Sequence, residues 1–178
     1  MRKNLVLTLT GHDRIGIVEQ ITKLVMEKGG NVEISRMTRL GGEFVMLLLV
    51  SLEQERYEEF SHSTDELRAA GYTLTLCPTV TDDPARFAGW IPYQVEVRGA
   101  DHEGIIHHIA FHLAEHGIHI ENMDTSSLSK APMSGTPLFT MAAVVLMPPH
   151  LHIRDLQEDL KIVGEALNVD IEMVPYAG

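Results

Sequence analysis

Residues 10–18, T-G-H-D-R-I-G-I-V, return 88 positions later as residues 98–106, R-G-A-D-H-E-G-I-I. A repeated strand, turn and helix start constrains the chain to two copies of one unit. In each copy Gly, Asp and Gly precede an apolar helix. Several backbone N–H groups and the positive end of the helix then converge on one spot, which suits a small anion or carboxylate.

The first copy reads in order. Leu5, Leu7 and Leu9 alternate with Val6, Thr8 and Thr10, which predicts a strand that Gly11 ends. Asp13 is placed to cap the following helix, whose apolar Ile17, Ile21, Leu24 and Val25 recur at helical spacing until Gly29 and Gly30 stop it. A second strand from Asn31 to about Leu40 reaches Gly41-Gly42, a two-residue hairpin turn. Residues 44–50, F-V-M-L-L-L-V, form a third strand that is apolar on both faces, so its second face needs a cover. Tyr57, Phe60, Thr64 and Leu67 then mark one helix within residues 53–70, and residues 73–76 a short last strand.

The second copy follows the same plan, with Val95, Val97, Gly99, Asp101, Gly104 and Gly117 standing for Leu7, Leu9, Gly11, Asp13, Gly16 and Gly29. Residues 125–136 replace the tight hairpin by a longer loop, either functional or mobile. Residues 138–147 read as a strand, and Ile153, Leu156, Leu160, Val163 and Leu167 as a helix before a last strand at 170–174. The expected fold class is therefore α+β: two tandem ferredoxin-like βαββαβ domains, each a four-stranded antiparallel sheet with two helices. The first domain is placed at 1–77 and the second at 93–178. Residues 78–92 form a linker that Phe87 and Trp90 pin to a domain surface. Sheets of the two repeats, or of two chains in a homodimer, are expected to cover each other's open faces.

Charge narrows the function classes. Fourteen basic against 25 acidic residues give a net charge of -11, which repels phosphate backbones, so direct nucleic-acid binding is not expected. The single cysteine, Cys77, excludes an internal disulfide, fits a reducing compartment, and reads as a small buried hydrophobe. With neither a secretory h-region nor an apolar run long enough for a membrane span, the reading is a cytoplasmic protein without a membrane partner.

Catalytic signatures are missing: no G-x-S-x-G, no Cys–His motif and no phosphate loop. No catalytic residue and no cofactor is assigned. His108, His112 and His116 stand four apart, but without an H-E-x-x-H glutamate or a third-ligand pattern they read as edge packing or an interface, and no metal ligand is assigned.

A βαββαβ unit carrying D-R-x-G-I-V at its first turn, a G-x-N-[VI] turn whose Asn31 lies 18 residues after Asp13, and G-G-E-F-V-M on its hairpin resembles the ACT domain. Two such units joined by a linker resemble the glycine cleavage system transcriptional repressor family. The resemblance implies a non-enzymatic regulator that binds a small amino acid, plausibly glycine, and acts through a regulator protein; a ligand-free interaction scaffold is the alternative. Amides around Ile15, Gly16 and Ile17, beside Arg14, would hold the carboxylate, and Asp13 or the Asn31 oxygen the ammonium. Asp101, Gly104 and His119 are the second-site counterparts. Where that family has Pro before the Gly, this chain has Ile15 and Glu103, and Glu103 would oppose a carboxylate. The bland alternatives are helix caps for Asp13 and Asp101, and close backbone packing for Gly16 and Gly104.

Overall fold

The computed structural model describes residues 1–80, 85–131 and 134–176, apart from the Leu128 side chain. The chain divides into two compact units, Met1–Asp83 and Pro84–Gly178.

The first unit runs β1 (Arg2–His12), α1 (Ile17–Glu27), β2 (Asn31–Leu40), β3 (Glu43–Glu53), a short 3-10 turn, α2 (Tyr57–Ser63), α3 (Asp65–Ala69) and β4 (Thr73–Thr79). Its sheet has the order β2-β3-β1-β4 with every neighbour antiparallel. Strand alternation places Leu5, Leu7 and Leu9 of β1 and Phe44, Met46, Leu48 and Val50 of β3 under the helices, against Ile17, Ile21 and Val25 of α1. Each such side chain contributes roughly 1.5–3 kcal/mol by leaving water. On the other face of β3, Leu47 keeps 44% of its surface exposed.

Four local expectations are corrected. Gly11 does not end β1: it stays in the ladder opposite Phe44, and the strand continues to His12. The helix expected across residues 53–70 is broken, because buried Thr64 turns its hydroxyl onto the Ser61 carbonyl at 2.7 Å and separates α2 from α3. Phe60 and Leu67 still reach the core from either side of the break. Cys77 is exposed rather than buried, since Leu74 and Leu76 take the core face of β4 and strand periodicity sends residue 77 to the other.

The fourth correction lies in the second unit, which runs β5 (Ile91–Ala100), α4 (Ile105–Glu115), β6 (His119–Lys130), β7 (Pro137–Met147), α5 (Ile153–Leu167) and β8 (Val169–Pro175), in the order β6-β7-β5-β8. The long loop expected from residue 125 is strand as far as Lys130, with a register shift between Ser126 and Ser129 that absorbs the irregular sequence. The Ala131 amide then closes the connection onto the Thr136 carbonyl at 2.9 Å, and residues 132–133 lie outside the described ones.

Both first helices end as the glycines predict. Gly29 has φ 72°, and the amides of Gly29 and Gly30 donate back to Met26 and Val25; Gly117 and Ile118 do the same to Ala114 and Leu113. Of the stretch read as linker, Pro78 and Thr79 complete β4 and Ile91 and Pro92 open β5, while residues 81–84 lie outside the described ones. Among the described residues, no helix is long and apolar enough to cross a membrane.

Candidate functional site

The first turn is braced by three strands. Asp13 Oδ2 lies 3.4 Å from Arg39 Nη1 at the end of β2, and His12 Nδ1 lies 3.0 Å from Glu43 Oε1 at the start of β3. From the β4 side, Arg14 Nε donates to the Tyr72 hydroxyl at 2.9 Å, and that hydroxyl donates to the His12 carbonyl at 3.0 Å. A second Arg14 nitrogen donates to Gln20 of α1. Ile15 is fully exposed at the tip.

This arrangement overturns the cap reading of Asp13. The residue that starts α1 is Gly16, at φ 90°, and no side chain caps the helix. Nor is Gly16 a close-packing glycine, because a Cβ built there meets nothing within 4 Å; its left-handed φ is what requires glycine. The Ile17 amide donates to the Arg14 carbonyl at 3.4 Å, and the Ile17 side chain belongs to the core. Uncapped, the other first-turn amides face outward with the positive helix end behind them.

Asn31 does not face this turn. Gly11 shares a rung with Phe44 and Arg39, whereas Asn31 shares one with Ser51 and Asn4 at the other end of the sheet. Seven residues of strand separate the rungs, roughly 20–25 Å. At its own end Asn31 Nδ2 donates to Glu33 Oε1 at 3.0 Å, and the Ser51 hydroxyl donates to the same oxygen. These two donors, Ser51 first, hold the Glu33 carboxyl below its usual range.

The second turn is built differently. Gly104, at φ 93°, starts α4 without a side-chain cap, so Asp101 is no more a helix cap than Asp13. The Asp101 amide donates to the Pro137 carbonyl at 3.0 Å. His102, at the position of Arg14, lies 2.6 Å from the Leu167 carbonyl through Nε2 and 3.0 Å from the Glu103 carbonyl through Nδ1. Carbonyls only accept, so both contacts favour the protonated ring and raise the His102 pKa, Leu167 more than Glu103. His119 sits 3.6 Å from Glu121, and Phe87 stacks on its ring at 4.5 Å. Trp90 meets Phe87 edge-on and Arg86 lies over it, so this segment covers the second counterpart of Asn31.

Arg39 and Tyr72 were not singled out as site residues from sequence, where Phe87 reads as pinning the linker to a domain surface. The Gly41-Gly42 hairpin contained a signal for Arg39, because its register sets Arg39 opposite Phe44 and so beside Gly11. A cavity of 710 Å³ lies along β5, α5 and β8, lined by Arg98, Lys161 and Glu165 among others, and none of the expected site residues borders it.

Residues 3–76 match the ACT domain family. The first unit is an ACT domain. Its braced turn and uncapped α1 are therefore features of an ACT fold, and the fold likeness extends through the second unit. The chain superposes over 99% of its length on all of an unknown protein from Galdieria sulphuraria, at 29% identity and a TM-score of 0.82. A putative glycine cleavage system transcriptional repressor of known structure aligns over 99% of both chains, at 22% identity and a TM-score of 0.69, which is a likeness of fold. The glycine cleavage system transcriptional repressor of Escherichia coli (strain K12) is 49% identical over 47 residues, 26% of this chain and 25% of that protein. The match thus spans about a quarter of that relative's length.

Proposed function

We propose that this ACT protein is a non-enzymatic, cytoplasmic regulator that binds a small amino acid, plausibly glycine, at the first turn and controls a regulator protein. The observation that carries the reading is the turn itself. Uncapped amides at the start of α1 and the Arg14 guanidinium suit a carboxylate, while Asp13 holds Arg39 by a loose contact that an ammonium could share. The second turn shares the uncapped helix start but not the arginine, since His102 replaces Arg14 and is tied to backbone carbonyls, and Glu103 adds an opposing charge. One effector per first domain follows.

Asn31 enters this site only from a second copy of the chain, because the register sets it at the far end of its own sheet. Its side-chain oxygen is oriented by the Glu33 contact. A homodimer in which Asn31 of one protomer approaches the turn of its partner would supply the second ammonium acceptor. The open face of the first sheet, with Ile34 and Leu47 half exposed, suits contact with a protein partner.

A thermal-shift panel of the twenty amino acids tests the reading. A ligand at 100 times its Kd adds about 2.7 kcal/mol of stability, so saturable stabilisation by one small amino acid is expected. Asp13→Ala should abolish that response in a folded protein. Absence of any response across the panel would favour a ligand-free scaffold and overturn the sensor reading.

A further inference from the structure

Helix α4 carries three histidines at four-residue spacing, and the structure separates them. His108 lies beside His107 and in contact range of Gly104, apart from the other two. The rings of His112 and His116 stand 4.5 Å apart and meet Asp159 on the neighbouring α5. One potential ligand atom from each of the three lies within 4.8 Å of the others.

The hydrogen bonding leaves groups that a cation could join. His116 Nδ1 is 2.9 Å from the His112 carbonyl. A carbonyl can only accept, so Nδ1 carries a hydrogen, and in the neutral ring Nε2 is then the electron-pair donor. This is how a metal-binding imidazole is commonly oriented, with its other nitrogen donating to a backbone carbonyl. His116 Nε2 faces Asp159 Oδ2 at 3.3 Å, a contact that either a proton on Nε2 or a metal ion between the two atoms would bridge. Two atoms bound to tetrahedral zinc at about 2.0–2.1 Å are themselves roughly 3.3 Å apart. His112 Nε2 is buried and has no hydrogen-bond partner among the described residues. A proton shared between His116 and Asp159 would leave that nitrogen unsatisfied, whereas the three residues each bring a ligand atom within 4.8 Å of the others.

We propose that His112, His116 and Asp159 bind one divalent transition-metal ion of the zinc class, which clamps α4 to α5. Two imidazoles and one carboxylate favour zinc, cobalt, nickel or copper over magnesium and calcium, and three protein ligands leave a position for water. The site lies within the second unit, between helices, and is separate from both turns.

The test uses the full chain, stripped with a chelator and titrated with Zn²⁺ by calorimetry and with Co²⁺ by absorption. One Zn²⁺ per chain should bind with a Kd of about 10 μM or tighter and raise the melting temperature, and Co²⁺ should give the strong visible bands of a tetrahedral site. His112→Ala, His116→Ala and Asp159→Asn should each weaken binding by at least about tenfold, and His108→Ala should leave it unchanged. Circular dichroism checks folding. Should either histidine variant unfold, the near-isosteric Asp159→Asn on the helix surface decides. Absence of saturable Zn²⁺ binding, or binding that survives Asp159→Asn, overturns the assignment.

Discussion

Gly11 and Tyr72 touch so closely that residue 11 has room only for hydrogen: a Cβ built on Gly11 would stand 2.5 Å from Tyr72 Cδ1. The Tyr72 ring cannot retreat freely, because its hydroxyl bridges the His12 carbonyl and Arg14. Gly11→Ala should therefore cost about 1–3 kcal/mol by overpacking. The equivalent Gly99→Ala should cost more, since its Cβ would meet Val169 Cα at 2.9 Å and the Asn168 carbonyl oxygen at 3.0 Å, which are backbone atoms. Urea unfolding of the two variants checks both the size and the order.

Gly16 carries a conformational requirement without a steric one. Its φ of 90° lies in open space, so Gly16→Ala should destabilise by about 1–2 kcal/mol through backbone strain alone. Gly16→Asn should cost less, because Asn tolerates left-handed conformations better than other side chains. Equal losses from the two substitutions, measured by urea unfolding, would contradict a purely conformational role.

The signals legible in sequence were those that act over a few residues. Gly29 and Gly117 end helices where expected, and Gly41-Gly42 closes β2 onto β3, because a left-handed turn constrains residue type locally. Asp13 misled for the converse reason: a good capping residue stands three places before the helix, but Gly16 starts it and Asp13 turns to Arg39. Asn31 follows α1 closely in sequence, yet helix and strand geometry carries it to the other end of the sheet. Tyr72 and Asp159 meet their partners from distant elements, and only tertiary packing brings them there.

The Glu33 carboxylate is held below its ordinary pKa, first by the Ser51 hydroxyl and then by the Asn31 amide, with Arg2 adding a weaker favourable charge. A lowered folded pKa means stability that is full above the unfolded pKa and is lost as pH falls through the folded one. Glu33→Gln should thus lower the melting temperature at neutral pH, and the difference from wild type should close as pH falls below about 4. A difference that persists unchanged into acid would show that the group contributes by packing rather than charge. Because Glu33 orients Asn31, the same variant should also weaken the effector response at neutral pH.

Whether turn and Asn31 act within one chain or across two can be read by mixing variants. Asp13→Ala and Asn31→Ala chains should each fail to respond to the effector, although both stay folded, since Asp13 makes only a loose exposed ion pair and Asn31 lies on the surface. In a two-fold homodimer every site takes its turn from one protomer and Asn31 from the other. A mixed dimer then holds one site that lacks both residues and one that keeps both. Random exchange in an equimolar mixture makes half the dimers mixed, so about a quarter of the wild-type sites should return. A site confined to one chain predicts no recovery at any mixing ratio, and calorimetric stoichiometry after exchange separates the two outcomes.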